Sequence, residues 1–259
     1  MPLIDTHCHL DFDAFEADRT SLVSRCGEKG ITRFVIPGVT QERWERLLVL
    51  GDEFPEIYIA PGLHPCFTSF HRSSHLEQLK LMIEAGNDKI LAIGEVGLDY
   101  FDKEADHQWQ IFLFEQQVKL ATASQLPLLL HVRKAHDEVL KTVRNADFSH
   151  GGIVHCYSGS LQQAEKYVEN GFKLGIGGVI TYENSHRLQK IVSTLPLSSF
   201  VLETDAPDIP PASLQGRINT PETLPEICLA FARYREETFD VVVDGLYRNT
   251  LELFPQLED

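Results

Sequence analysis

The sequence predicts an α/β protein, a single-domain (βα)8 TIM barrel with its chemistry at the C-terminal ends of the strands. Three observations carry that expectation. Eight short apolar runs alternate with amphipathic stretches of helical period. The length of 259 residues suits a barrel, which needs roughly 250. Histidines and carboxylates fall at the ends of the runs rather than along them.

In chain order the runs are PLIDTH (2–7), RFVIPG (33–38), IYIAPGLH (57–64), ILAIGE (90–95), LPLLLH (126–131), GGIVHC (151–156), FKLGIG (172–177) and FVLETD (200–205). Their near-continuous Val, Ile and Leu content is what strands covered on both faces require. Between them lie QERWERLLVLGDEF (41–54), HLEQLKLMIEAG (75–86) and DHQWQIFLFEQQVKLATASQ (106–125), with apolar residues at helical spacing. GIGG (175–178) lacks the GxGxxG phosphate-binding pattern, so it reads as the seventh strand, its glycines letting other backbone or substrate come close. PDIPPASLQG (207–216) reads as an irregular loop after the eighth strand, placed to cover a substrate. No repeat or low-complexity tract divides the chain, so residues 1–259 read as one domain.

Composition narrows the function. A formal charge of −15 argues against a protein that coats nucleic acid by diffuse attraction, which needs clustered Lys and Arg, but leaves room for a small anion-binding site. The N-terminus lacks the pattern of a secretory signal and no apolar run approaches the roughly 20 residues of a membrane span. Five cysteines without CxxC suit a reducing compartment, and the expected location is the cytoplasm. Cys8 and Cys156 adjoin candidate ligands but are expected to face away from them as small buried hydrophobes. Nothing points to a membrane or an obligate protein partner.

In a strand, alternate side chains share a face, so His7 and His9 of IDTHCHLDF (4–12) would point together and could close on one ion. HxH alone is a weak signal, and the other run ends decide. His7 and His9 end the first run, His64 the third, Glu95 the fourth, His131 the fifth, His155 the sixth and Asp205 the eighth. In a barrel these positions meet at one mouth. Even with His64 set aside, four histidines and two carboxylates exceed the three or four protein ligands one zinc-like ion takes, so two ions with a shared carboxylate fit better. His7, His9 and Asp205 are assigned to the first ion, His131 and His155 to the second, and Glu95 to the bridge. Imidazole and carboxylate without thiolate suit zinc, manganese, nickel or cobalt, with magnesium less favoured. Two such ions outweigh the two carboxylates, so the mouth would welcome an anion.

Two ions roughly 3.5 to 4 Å apart can hold a hydroxide and neutralise a leaving oxygen, which makes hydrolysis the expected reaction class. Asp205 is the candidate proton acceptor. His64, surplus to the ligand count, is expected to contact substrate or its transition state. Asp5 and Glu203 fall two residues before His7 and Asp205 and are expected to orient ligands from one layer deeper. Arg133 with Lys134 just past His131, and Arg217 with Asn219 in GRINTP, could grip phosphate oxygens.

IDTHCHLDF, GLHP, IGEVGLDY, LPLLLHVRKA, IVHCYSGS and VLETDAP, in this order and spacing, resemble the TatD family of metal-dependent hydrolases, within the wider amidohydrolase-like barrels. The likeness runs from Ile4 beyond Asn219 and implies two divalent ions on His7, His9, Glu95, His131, His155 and Asp205, with Glu95 where related barrels often carry a modified lysine. It also implies phosphodiester hydrolysis of deoxyribonuclease type, trimming DNA from the 3′ end. One departure is Asp208 after ETDAP, where the family usually has an uncharged residue and where a carboxylate would repel a long polyanion. The leading expectation is therefore a two-metal phosphodiesterase acting on single-stranded ends or small nucleotides. The competing expectations are an amide, lactone or carboxylic ester hydrolase using the same ions, and a barrel that binds metal without catalysis.

Overall fold

The computed structural model describes residues 2–258. Among them β1 (Leu3–Asp5), β2 (Ile31–Pro37), β3 (Ile57–Ala60), β4 (Ile93–Asp99), β5 (Leu128–Arg133), β6 (Gly152–Val154), β7 (Phe172–Ile176) and β8 (Phe200–Leu202) pair in parallel, each with its neighbour in chain order. They form two arcs, β1 to β3 and β4 to β8. At one seam Ile59 N donates to Lys89 O (2.8 Å) and Leu91 N to Ile59 O (3.0 Å). At the other, Thr6 N donates to Leu202 O (3.0 Å) and Asp205 N to His7 O (2.8 Å).

Helices α1 (Arg19–Glu28), α2 (Trp44–Glu53), α3 (Ser73–Glu84), α4 (His107–Ser124), α5 (His136–Asn145), α6 (Leu161–Glu169) and α7 (His186–Thr194) each follow the strand of the same number. After β8 come α8 (Leu224–Ala232) and α9 (Phe239–Leu253). The local chemistry of these starts is legible. Ser160 and Gln163 make a reciprocal capping box at α6, and Asp106 accepts from Trp109 N to cap α4. Gln125, with φ +56°, ends α4 in the left-handed region.

Two apolar layers follow from strands buried on both faces. The inner one joins Ile4, Val35, Tyr58, Leu129, Ile153 and Val201, and Phe254 and Leu257 close its lower end. The outer one packs Trp44, Phe114, Val139, Tyr167 and Phe231 with the strands' other faces. With the lower end filled, the opposite end is the only one open to polar side chains from every strand. No helix among the described residues is long and apolar enough to cross a membrane.

The strand ends differ from the sequence reading. β1, β6 and β8 are three residues each, so His7, His9, His155 and Asp205 lie past the ladders, as does His64 beyond β3. Conversely β4 and β5 run on to Asp99 and Arg133. The alternation argued for His7 and His9 therefore does not apply as written, because β1 stops at Asp5. The segment is instead laced to its neighbours, Cys8 N donating to Val35 O (3.2 Å) and His9 N to Ala206 O (2.7 Å). Left-handed backbone at Cys156 (φ +44°) and Asp205 (φ +55°) likewise breaks strand parity at the other two ends.

Candidate metal centre

At the open end of the barrel, His7, His9, His64, Glu95, His131, His155 and Asp205 converge, and Glu95 stands at the middle. Its Oε2 lies 3.2 Å from His7 Nε2 and 3.8 Å from His9 Nε2. Its Oε1 lies 2.7 Å from His131 Nδ1, 3.1 Å from His64 Nε2 and 3.6 Å from His155 Nε2. Asp205 Oδ1 is 3.6 Å from His7 Nε2 and 3.7 Å from His9 Nε2. Two donor groups compact enough for one cation each share Glu95: His7, His9 and Glu95, and Glu95, His131 and His155.

Burial pushes the Glu95 carboxyl up, but His64, His7 and His155 around it and the hydrogen bond from His131 outweigh burial and hold it well below the usual range. Asp205 has fewer such neighbours, and burial lifts its carboxyl to about 6 against His155 and His7. Burial also opposes charge on His155, yet Asp205, Glu203 and Glu95 raise it to about 9. His9, where burial dominates, is pushed well down.

Cations fit this donor set. His7 is fully buried with neither ring nitrogen hydrogen-bonded, and His9 Nδ1 is likewise buried without a partner. Unsatisfied buried polar atoms are costly, so their accumulation around a carboxylate marks a place for a ligand. The rings of His7 and His155 stack at 3.8 Å between centroids, a separation at which two imidazolium charges would repel and two neutral ligands would not.

Carboxylates behind the imidazoles set their orientation. His131 Nε2 donates to Asp99 Oδ2 (3.0 Å), which leaves its Nδ1, 2.7 Å from Glu95 Oε1, free to serve as a ligand. Glu203 Oε1 accepts from Cys156 N (2.5 Å) and lies 3.2 Å from His155 Nδ1, which leaves Nε2 toward Glu95. Gly175 makes room for this carboxylate, since a Cβ there would sit 2.2 Å from Glu203 Oε2. The neighbour at Gly175 is thus a side chain, whereas the other backbone expected near the glycines of GIGG comes close at Gly178, where a Cβ would sit 2.5 Å from Ile209 O. Asp5 does something else. Its Oδ2 accepts from Thr204 Oγ1 (2.6 Å) and its Oδ1 from Thr204 N (3.0 Å), so it ties β1 to β8 beneath the site rather than holding an imidazole.

His64 Nδ1 accepts from Cys66 N (3.0 Å), so its hydrogen lies on Nε2, facing Glu95. Sequence reasoning missed Asp99 and Cys66. Asp99 lies four residues after Glu95 on β4, so strand parity could have found it. Cys66 Sγ donates to Asp99 Oδ2 (3.2 Å) beside His64 and His131, and these rings bring the thiol below its usual range although burial opposes it.

The two loop candidates are not brought to this cluster. Arg217 is exposed and its guanidinium donates to Ser213 O (3.0 Å). Asn219 is fully buried, and its role in gripping phosphate is corrected by its bonding. Its Nδ2 donates to Thr204 O (2.8 Å) and Asp208 O (2.9 Å), and its Oδ1 accepts from Thr220 N (2.9 Å) and Thr223 Oγ1 (3.0 Å). Both ends of the amide are spent fastening the loop that follows Asp205. Asn219→Ala is therefore expected to destabilise the fold by about 2 to 4 kcal/mol, leaving several buried groups unpaired. Urea unfolding checks this, and a midpoint equal to wild type would refute it. Arg133 and Lys134 lie next to the cluster, with their cationic groups 3.6 and 4.7 Å from the centroid of the Phe101 ring.

Comparison with known proteins agrees with this architecture. The family model described as TatD related DNase matches residues 4–255. A metal-dependent hydrolase of Escherichia coli K12, YjjV, described as uncharacterised, is 38% identical over 251 residues, covering 97% of each chain. The crystal structure of that TatD homologue superposes with a TM-score of 0.95 over the same shares. A Salmonella typhimurium protein named 3′-5′ ssDNA/RNA exonuclease TatD is 29% identical over 241 residues, 91% of this chain and 92% of that one. With a match that spans nearly every residue and a relative this similar over its whole length, the chain belongs to the TatD family of metal-dependent hydrolases.

Proposed function

We propose that the chain, as one barrel domain, is a two-metal phosphodiesterase that removes nucleotides from the 3′ end of single-stranded nucleic acid. The observation that carries the two-ion reading is the division of Glu95, whose Oε2 faces His7 and His9 while its Oε1 faces His131 and His155. His7, His9 and Asp205 would hold one ion and His131 and His155 the other, with Glu95 shared. Zinc suits the donors first, with manganese, nickel, cobalt and magnesium as the alternatives. When bound, such ions polarise a phosphoryl oxygen and lower the pKa of water.

The chain's own groups do the rest. Asp205, at the edge of the cluster beside His7 and His9, accepts the proton of the attacking water. His64 presents Nε2–H to the mouth and can donate to a phosphoryl or leaving oxygen. Arg133 at the rim offers a planar donor for phosphate, and Arg217 is the cation of the covering loop. The exonuclease name of the Salmonella relative supports the choice of a phosphodiester over a carbonyl substrate. Five free cysteines support a reducing compartment, the cytoplasm.

The test is a pair of substrate panels. Metal-loaded protein is expected to shorten single-stranded oligonucleotides from a free 3′ end, to lose that activity to a chelator by at least about 100-fold, and to regain it with divalent salt. Turnover of lactones or amides alone would replace this reading with carbonyl hydrolysis.

A further inference from the structure

Beside the metal mouth the ends of β4, β5 and β6 and the start of α7 enclose a cleft of about 740 Å3. It begins where the catalytic cluster ends. Asp99, which accepts from His131, also accepts from Phe101 N through Oδ1 (2.8 Å), and Tyr100 N donates to Arg133 O (2.9 Å). Arg133 lies two strand residues past His131, roughly 7 Å along the chain. A group bound in the cleft is therefore adjacent to the reacting centre without occupying it.

Three cations line it: Arg133, Lys134 and Arg187. None of the three makes an ion pair with a carboxylate among the described residues. Asp137 and Glu138 also line the cleft, but Asp137 Oδ1 accepts from Gln163 Nε2 (3.2 Å) and Glu138 pairs with Lys141 Nζ (3.1 Å). In a chain of net charge −15, unpaired cations gathered in one cleft are an anion site. Lys134 has φ +56°, a strained conformation for a residue with a side chain, of the kind that collects at functional positions.

Phe101, 53% exposed at the cleft edge, has its ring under the Arg133 guanidinium (3.6 Å to the centroid) and Lys134 Nζ (4.7 Å), so it holds these two cations at the cleft. One further observation points to a ligand. His136 forms part of the wall, is only 7% exposed, and has neither ring nitrogen hydrogen-bonded. Its ring packs against Tyr157 and Tyr167, at centroid distances of 5.4 and 5.8 Å, which fix its plane but satisfy neither nitrogen.

We propose that this cleft is a second phosphate subsite for the nucleic acid, in which Arg187, Lys134 and Arg133 hold the backbone phosphate next to the scissile one and Phe101 braces two of these cations. The inference rests on the phosphodiesterase reading and sharpens it. The preferred substrate is an oligonucleotide end with at least two phosphates, not a lone phosphoester. Sequence reasoning overlooked Arg187 because it lies at the start of a helix rather than in a motif.

The test is a cycle between substrate and protein. A short oligonucleotide is compared with its copy carrying a neutral methylphosphonate at the linkage next to the scissile one. In wild type this change is expected to lower kcat/KM about tenfold. In Arg187→Ala, whose circular dichroism and metal content serve as controls, the same change is expected to cost about threefold, because one of the three cations that read the charge is gone. The salt dependence of oligonucleotide binding should also flatten by about 0.7 in the log–log slope, the share of one phosphate contact on a single strand. A wild type indifferent to the methylphosphonate, or a variant that keeps the full penalty, overturns the subsite. If no diester is cleaved at all, the proposed reaction has failed separately. The subsite is then judged by equilibrium binding of a 5′-phosphorylated dinucleotide, where a tenfold weaker Kd in Arg187→Ala supports it and an equal Kd refutes it.

Discussion

Glu95→Ala is expected to lower bound divalent metal from two ions per chain to one at most, and to lower kcat/KM on oligonucleotides by at least about 10^3-fold. The residue is 1% exposed and its two oxygens divide between the imidazole pairs, Oε2 toward His7 and His9 and Oε1 toward His131 and His155. Glu203 also comes near a member of each pair, His7 and His155, but its Oε1 accepts from Cys156 N and faces His155 Nδ1; Asp205 Oδ1 approaches His7 and His9, and Asp99 reaches His131 from the far side through Nε2. Without Glu95, each of the two proposed ions would keep only its flanking groups, and His131 and His155 alone would be too few to retain the second against water. Loss of a metal that stabilises transition-state charge accounts for several kcal/mol, hence the expected rate effect. Elemental analysis of the dialysed variant reads the first quantity directly, and two ions per chain would contradict the bridge. The conservative Glu95→Asp, which keeps the charge but shortens the reach, should fall between the two.

What the sequence made legible, and what it did not, follows the same physical line. Strands buried on both faces must be apolar throughout, so runs such as IYIA and LLL announce β3 and β5. Where the ladder stops is not written in hydrophobicity, because the residues past the end are still buried and are held by individual hydrogen bonds. Thr6 to Leu202 and Asp205 to His7 are two of them. The convergence of His7, His9, Glu95, His131, His155 and Asp205 was legible because barrel topology brings run ends together whatever their local backbone. The supporting carboxylates were only half legible. Glu203 lies beside His155 as expected, whereas Asp5 bonds Thr204, and which of the two touches an imidazole depends on backbone turns at Cys156 and Asp205 that no spacing rule supplies. Asn219 shows the converse, a polar residue in a loop motif that reads as a substrate contact but whose amide is consumed by the loop itself.

Asp205→Asn separates proton transfer from metal holding. Asparagine preserves the shape and one oxygen, so the variant is expected to retain metal within about 20% of wild type and its urea midpoint, while kcat falls by about 10^3-fold or more. General base catalysis contributes typically 10^2 to 10^4 in rate, and an amide cannot accept the proton. The position supports that separation. Asp205 is held through the backbone, its N donating to His7 O (2.8 Å) and its carbonyl accepting from Asp208 N (2.8 Å), so its left-handed conformation does not depend on the carboxylate. The side chain reaches His7 and His9 only at 3.6 and 3.7 Å, farther than Glu95 stands from His7, and it is the more exposed of the two carboxylates. A group that is second in contact with the histidines and first in contact with the open mouth is suited to meet the water. Should the variant lose metal in parallel with activity, Asp205 is a ligand first. Should it hydrolyse oligonucleotides within tenfold of wild type, the proton goes elsewhere, and His64, with its Nε2 3.1 Å from Glu95 Oε1, becomes the group to replace next.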